Sequence, residues 1–474
     1  MTKKLIVILV MVVLLGALSL SLFLLKRQDE PPPPVPDLPD LEYLINYRDD
    51  TFGGLASVEV RNGQGEFTVL PGSPPSIPGW ESLIVNTYPL TRIMDICSGL
   101  ISQGLVVEEA ANLGVYGLET PLAEVEIRTN SGEGTTLYIG GDVPGGLSVY
   151  VRVEGDPAVY RAARGDVSSF FQGVLDLVDK EVSPQLPDDG YGGFDFEEIT
   201  LGGTLRADGV VRIVHREEEN VPAGRLRNDY LISGPYETSL NLEEGFNALK
   251  AIPGIYADRA VGRAAGDLAP YGLDKPYSTA SISGTLGQGL GGFSLRASKP
   301  DGDGNVYIWR EGTELVYQVA SSKLPWLEAG WWDLMNRMII IPYIDDIARV
   351  EVNSPQRRLS FSLSGEGEDL KVEAQGAELD TSFFRSYYQT LLSAIYDDYA
   401  EERIPPGAQP VLEIVYHYRD GRPQDRVSFY ASSSRRVLTS LNGGRPFYTY
   451  AAYITKVQTD LDRLLEGKKV LPYL

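Results

Sequence analysis

Two histidines, one cysteine and many acid pairs are the side chains in this 474-residue chain whose types could carry chemistry. His215 and His417 each end a strand-like run, Val210–Val214 and Val411–Tyr416, and lie about 200 residues apart. A general base or metal ligand needs partners close by, so both read as structural or surface histidines. The stretch Asp301-Gly302-Asp303-Gly304-Asn305 has the alternating acids of a calcium loop. An EF-hand also requires glycine at its sixth place and glutamate at its twelfth. Those places hold Val306 and Gly312, so a hairpin turn is expected. The run Gly287-Gln288-Gly289-Leu290-Gly291-Gly292 lacks the Lys-Ser/Thr of a phosphate loop. There is no G-x-S-x-G elbow, H-E-x-x-H helix or C-x-x-C pair. Asp345-Asp346 and Asp397-Asp398 are two acid pairs among 65 acidic residues. Glycoside hydrolysis needs two carboxyls facing each other across a cleft, and adjacency in sequence does not provide that. The expectation is a non-enzymatic chain with no catalytic, cofactor or metal site.

Cys97 is the single cysteine, so no intramolecular disulfide forms. It sits among Leu90, Ile93, Met94, Leu100 and Ile101 at helical spacing. That is the place of a buried small hydrophobe, not of a nucleophile. Aromatic residues include 27 tyrosines, and Trp326, Trp331 and Trp332 cluster in sequence. Their commoner use is to fill the core between sheet and helix. The alternative is an exposed surface for sugar or protein.

The elements around these residues follow a plan that recurs. Leu113-Gly114-Val115-Tyr116-Gly117-Leu118-Glu119-Thr120-Pro121 matches Leu268-Ala269-Pro270-Tyr271-Gly272-Leu273-Asp274-Lys275-Pro276. A third, degraded copy is Ile404-Pro405-Pro406-Gly407-Ala408-Gln409-Pro410. Behind each turn comes a hairpin: Ser148–Arg161, Asn305–Gln318 and Arg435–Tyr448. Behind each hairpin comes a closing helix, about 166–178, 324–335 and 452–465, with a short exit segment that ends in proline. The turns are offset by 155 residues (Tyr116 to Tyr271) and the hairpins by 157 (Tyr160 to Tyr317). Repeats of this length are small domains and not solenoid units. The expected units are 42–185, 190–342 and a divergent 343–474.

Within a unit, Ala56–Val60 and Ala348–Val352 alternate apolar and polar as half-buried strands do. Gly63-Gln64-Gly65, Gly202-Gly203 and Ser364-Gly365-Glu366 supply turns. Leu242, Phe246 and Leu249 mark one helix face; Phe384, Tyr387, Tyr388, Leu391 and Ile395 mark another. Strands joined by short turns predict an α+β fold: tandem repeats of antiparallel sheet with helices packed on one face.

At the N-terminus, Leu5–Leu25 is 21 residues without a charge. At about 1.5 Å per residue this spans the roughly 30 Å hydrocarbon core. No cleavage site follows it, so residues 1–27 are expected to be an uncleaved signal anchor. The basic residues are nearly balanced, Lys3, Lys4 and the α-amine before the span against Lys26 and Arg27 after it. They tilt the expectation towards an inside N-terminus and an extracytoplasmic bulk. Residues 28–41 hold Pro31–Pro34, Pro36 and Pro39 and read as a semi-rigid polyproline stalk. The net charge of −23 repels phosphate backbones and argues against nucleic-acid binding; its simplest role is to keep an exposed protein soluble.

The Tyr-Gly-Leu-Asp/Glu-x-Pro turn, the following strands with their Val-Tyr pair, and the closing helix resemble the bacterial domain of unknown function family 4340. The resemblance covers the Tyr116–Tyr160 and Tyr271–Tyr317 regions with their trailing helices, more than half of the chain; the third unit departs from the turn pattern. The resemblance implies a membrane-anchored, surface-facing protein without assigned activity. It also implies company with ABC-type exporters related to gliding-motility transporters, so transporter subunits are expected partners. It supplies no catalytic residues. An envelope-polymer (glycan) or protein binding module is the alternative, with a carboxylate-dependent hydrolase behind it.

Overall fold

A hairpin meander whose strands alternate inward and outward side chains buries one sheet face along much of this fold, whereas 414–416 and 437–440 are buried at successive positions, on both faces. The alternation is strict along Arg358–Ser364, where Leu359, Phe361 and Leu363 are buried and their neighbours exposed. The computed structural model describes residues 16–17, 42–48, 53–186, 196–207, 209–215, 230–264, 266–284 and 292–471. No helix among them is long and apolar enough to cross a membrane. The expected span Leu5–Leu25, apart from Gly16 and Ala17, and the linker 28–41 lie outside the described residues, as do 287–291 of the glycine-rich run. The chain divides into two compact units, 1–179 and 180–474. The fold is α+β and dominated by sheet, and every strand pairing among the described residues is antiparallel.

The first unit contains a two-stranded pair, β1 (Tyr43–Asn46) with β4 (Gly99–Ile101), and a seven-stranded sheet. That sheet is built from β2 (Leu55–Asn62), β3 (Gly65–Val69), β5 (Leu105–Val107), β6 (Ala123–Thr129), β7 (Gly134–Asp142), β8 (Ser148–Val153) and β9 (Val159–Ala163). Its order is β3-β2-β6-β7-β8-β9-β5. Helix α1 (Tyr88–Ser98) starts with Pro89 in its first turn and buries Leu90, Ile93, Ile96 and Cys97 against it.

The second unit holds two nine-stranded sheets. One has β10 (Glu198–Gly202), β11 (Val211–His215), β12 (Tyr230–Gly234), β13 (Thr238–Ser239), β14 (Arg259–Arg263), β15 (Ser278–Ser283), β16 (Phe293–Ala297), β17 (Asn305–Arg310) and β18 (Leu315–Ala320). The other has β19 (Ile347–Asn353), β20 (Arg358–Ser364), β21 (Lys371–Ala374), β22 (Ala377–Leu379), β23 (Asp398–Tyr399), β24 (Leu412–Tyr418), β25 (Asp425–Ala431), β26 (Arg436–Leu441) and β27 (Phe447–Tyr450). Their orders are β13-β12-β11-β10-β15-β16-β17-β18-β14 and β22-β21-β20-β19-β24-β25-β26-β27-β23. The two orders are the same path. A four-strand meander runs outward, one strand crosses to the far edge, and a second meander runs from the centre to meet it. The seven-stranded sheet follows this path without the two outermost strands of the first meander.

The Tyr-Gly-Leu turn makes the crossing from edge to centre. Residues Leu113–Tyr116 and Ala269–Tyr271 each form a short 3-10 turn closed by a left-handed glycine, Gly117 (φ 67°) and Gly272 (φ 67°). The amide of Gly117 donates to the Gly114 carbonyl and that of Leu118 to the Leu113 carbonyl; Gly272 and Leu273 repeat this with Ala269 and Leu268. This is the Schellman pattern, and its following apolar residue packs inward: Leu118 and Leu273 are buried. Tyr116 meets Tyr150 of β8 edge-on at 5.1 Å, and Tyr271 meets Tyr307 of β17 at 5.4 Å. The surroundings of the two glycines differ. A Cβ on Gly117 would sit 2.7 Å from the Gly141 amide nitrogen, whereas one on Gly272 would meet only Ser298 Cβ at 3.8 Å. Gly117→Ala is therefore expected to cost about 3 kcal/mol and Gly272→Ala about 1 kcal/mol, read from urea unfolding of each variant. Equal costs would refute this account of the turn.

The closing helices differ from expectation. Only the third is continuous, as α6 (Ala452–Leu465). The first is α2 (Arg164–Val167) followed by 3-10 turns Ser168–Phe171 and Val174–Asp176, broken at Gly173. The second reduces to the 3-10 turn Ser321–Lys323 and the single turn α4 (Trp331–Leu334), because Pro325 and Gly330 interrupt the run. Helices α3 (Glu244–Leu249) and α5 (Thr381–Leu392) bury the expected Phe246, Leu249, Phe384, Tyr387, Tyr388 and Leu391. Leu242 and Ile395 fall outside these helices and are exposed.

Each closing segment is tied to the first hairpin turn of its sheet. Asn62 donates to the carbonyls of Phe170 (2.7 Å) and Gln172 (2.9 Å). Arg357 pairs with Asp462 of α6 at 2.7 Å. Arg206, 8% exposed, donates to the carbonyls of Gly202, Trp326, Leu327 and Ala329 and to the Ser278 hydroxyl. The exit segment after the second closing turn then joins two sheets. Met335 bridges Leu240 beside β13, and Met338 bridges Ile395 behind α5.

Candidate functional site

The residues singled out by type do not converge. His215 closes β11 with its ring edge-on to Tyr230 at 5.6 Å. His417 sits inside β24, on another sheet, with Nε2 at 3.0 Å from Glu351. Asp301 caps the β16–β17 hairpin, accepting the amides of Asp303 (3.0 Å) and Asn305 (2.8 Å). Those bonds hold its carboxyl below the usual range and make the segment the turn expected. Asp397 and Asp398 are bound by one cation, Arg436, at 2.8 and 3.0 Å. Asp345 accepts the Gly367 amide, and Asp346 faces Arg422 at 3.4 Å. No group of three or more His, Cys, Asp or Glu that could hold a metal occurs among the described residues.

Cys97 is fully buried, and burial pushes its thiol pKa up. Only the thiolate is nucleophilic. Alkylation by iodoacetamide at pH 8 is expected to run at least about a hundredfold slower in the native protein than in urea. Labelling at the same rate in both would show the thiol to be accessible.

The structure gathers a different set. Within the second unit, where the second and third sheets meet, lies a cavity of about 270 Å³. From the second sheet come Tyr236, in the turn between β12 and β13, and Trp331 and Trp332 on α4. From the third come Tyr396, Tyr399, Phe447 and Arg445. Trp331 lies 4.7 Å from Tyr236, 5.8 Å from Tyr399 and 6.0 Å from Phe447; Trp332 stacks on Phe447 at 5.9 Å. Trp326, by contrast, is wholly buried in the core. One aromatic cluster in the sequence thus divides, with Trp326 in the core and Trp331 and Trp332 half-buried at the junction.

Local structure fixes each member. Asp333 accepts the Gly330 amide at 2.9 Å and caps the single turn that carries both tryptophans. Arg445 follows the tight turn at Asn442 (φ 53°) and Gly443 (φ 74°), the Asn-Gly signal of a two-residue hairpin loop. Asn442 is pinned by its contacts to Asp425 (2.6 Å) and to the Arg426 amide (2.8 Å). The guanidinium of Arg445 lies over the rings of Tyr236 (4.4 Å) and Tyr399 (4.1 Å) and donates to the Tyr236 hydroxyl. Cation–π contact on two faces offsets its lost hydration, and that desolvation lowers its pKa from the ordinary value. Glu237, Thr238 and Asn336 add polar groups to the lining. Sequence reasoning missed Tyr236 and Arg445 because they lie 209 residues apart on turns of different sheets. The Asn-Gly pair before Arg445 is the one local signal of a positioned side chain.

The family described as Domain of unknown function (DUF4340) matches residues 77–228 and 231–410. The first match starts after β3 and ends after β11, and the second starts inside β12 and ends before β24; β24 to α6 lie outside both. No curated protein and no solved structure matches the chain. The two tandem matches span well over half of its length, and the chain belongs to this family of domains of unknown function.

Proposed function

We propose that the chain is a non-enzymatic, membrane-anchored accessory protein of the bacterial cell envelope that holds a partner or ligand at the junction of its second and third sheets. In this reading residues 1–27 anchor it, 28–41 form a stalk, and 42–185, 190–342 and 343–474 are three extracytoplasmic repeats, each with helices on one face of its sheet. The junction cavity carries the proposal. It brings half-buried aromatic side chains, an arginine without an acidic partner among the described residues and several polar groups into one concave place, as binding sites do. Subunits of an ABC-type exporter are the partners that family company suggests. In the anchor, Gly16, Ala17, Ser19 and Ser21 are small enough for close packing against transporter helices.

Full-length protein carrying a photocrosslinking residue at Glu237 tests this in its native membrane, against the same residue at Glu378 in β22. Transporter subunits captured from Glu237 and not from Glu378 would support the accessory role. Envelope polymer captured there instead would favour the binding-module alternative. Indistinguishable products from the two positions would refute a site at the junction.

A further inference from the structure

We infer that the junction cavity takes the carboxylate of an acidic saccharide, an inference that rests on reading the cavity as a binding site. The chain has 65 acidic residues against 42 Lys and Arg, and several arginines of the second unit are held by carboxylates. Arg212 holds Glu198, Arg296 holds Glu311, and Arg436 holds Asp397 and Asp398. Arg445 forms no ion pair among the described residues. Its contacts are two tyrosine rings and one tyrosine hydroxyl. The rings hold the guanidinium in place without neutralising it, and its planar fork fits a carboxylate in two-point contact.

The remaining lining decides what the carboxylate is attached to. Glu237 and the Thr238 hydroxyl have no side-chain partner among the described residues, and Asn336 uses only its oxygen, accepting the Met338 amide at 2.9 Å. These groups can exchange hydrogen bonds with hydroxyls. Trp331 and Phe447 offer apolar ring surface for the body of a sugar. A cavity of about 270 Å³ is at the small end of ligand pockets and suits a single ring unit. A peptide is disfavoured because the backbone beside the cavity is already paired on both sides. Strand β13 bonds β12 through Leu231 and Ser239 on one side, and the Asn336 amide donates to the Ser239 carbonyl (2.8 Å) on the other. An incoming strand would gain no main-chain ladder there.

The test uses full-length protein in detergent micelles, with saturation-transfer NMR and calorimetry. The probes are glucuronate, galacturonate and N-acetylmuramate, with glucose and N-acetylglucosamine as neutral counterparts and tri-alanine as a peptide carboxylate. At least one acidic sugar is expected to bind, about tenfold or more tighter than its neutral counterpart. Arg445→Gln should remove that advantage while leaving weak neutral binding. Thr238→Val, which removes no hydrogen bond among the described residues, should weaken the acidic sugar without changing the melting temperature. The inference is overturned if no acidic sugar binds, if neutral sugars bind equally, if Arg445→Gln folds and binds unchanged, or if tri-alanine binds in preference. Partner capture from Glu237 together with any of those results would leave the junction site standing and remove only the acidic sugar.

Discussion

Arg206→Met is expected to lower the unfolding free energy of the second unit by about 3–5 kcal/mol. The side chain is 8% exposed and forms no ion pair among the described residues; four backbone carbonyls and the Ser278 hydroxyl take its donors, with the Asp333 carboxylate near enough to act on its charge. Burial lowers its pKa from the ordinary value, but a guanidinium remains charged in proteins. It therefore acts as a fixed hub of donors for a closing segment that makes no continuous helix. Methionine fills the volume and leaves the carbonyls of Trp326, Leu327 and Ala329 without this donor. Arg206→Lys keeps the charge but lacks the planar fork, so it should recover less than half of the loss. Urea unfolding monitored by tryptophan fluorescence reads the effect directly, since Trp326 lies in the segment concerned. A Met variant as stable as the parent would mean that the closing segment is held by its apolar contacts alone.

The second large effect is expected at Gly203→Ala, immediately before the 3-10 turn Thr204–Arg206 that ends on this arginine. Gly203 has φ 101° and ψ 179°, a region open essentially to glycine alone. A Cβ there would also lie 2.5 Å from the Tyr277 carbonyl oxygen and 2.6 Å from Ser278 Cα, both on the neighbouring backbone. Strain and collision together should cost about 3–4 kcal/mol. The adjacent Gly202→Ala meets the Thr279 hydroxyl at 2.9 Å, the movable end of a side chain, and Val210 Cγ2 at an ordinary 3.9 Å, and should cost under about 1.5 kcal/mol. Comparing the urea midpoints of the two variants checks the pair. A Gly202 variant as damaged as the Gly203 variant would locate the constraint in strand β10 and not in the backbone of the turn.

What could be read from sequence was what is local. The Tyr-Gly-Leu turn announces itself because one left-handed glycine, one buried leucine and one tyrosine do its work within six residues. The strands show through their alternation, and the helix face of Phe384, Tyr387, Tyr388 and Leu391 through its period. The third sheet is harder. Its segment lacks the tyrosine turn, yet its nine strands follow the order of the second, because that order depends on which edges pair and not on one motif. The closing helices misled for a physical reason. Leu324, Trp326 and Leu327 are apolar at plausible spacing and all buried, but Pro325 removes a backbone donor and Gly330 ends the run. A buried arginine replaces the helix as the fastening. The junction site was legible only through Trp331 and Trp332, since its cation and its other rings come from segments far apart in the chain.

The far-edge strands impose an order of events. β14 has one ladder partner, β18, as β23 has β27 and β5 has β9, and in every case that partner is the last strand of its sheet. During synthesis the edge strand leaves the ribosome first and then waits, its backbone groups unpaired, while four further strands are made. Closure of each sheet is thus a late, long-range event with a high loop-closure cost. Until it happens, the waiting strand can pair with any neighbouring chain. Emergence of the chain from one end shortens that exposure, because each sheet can close before the next edge strand arrives.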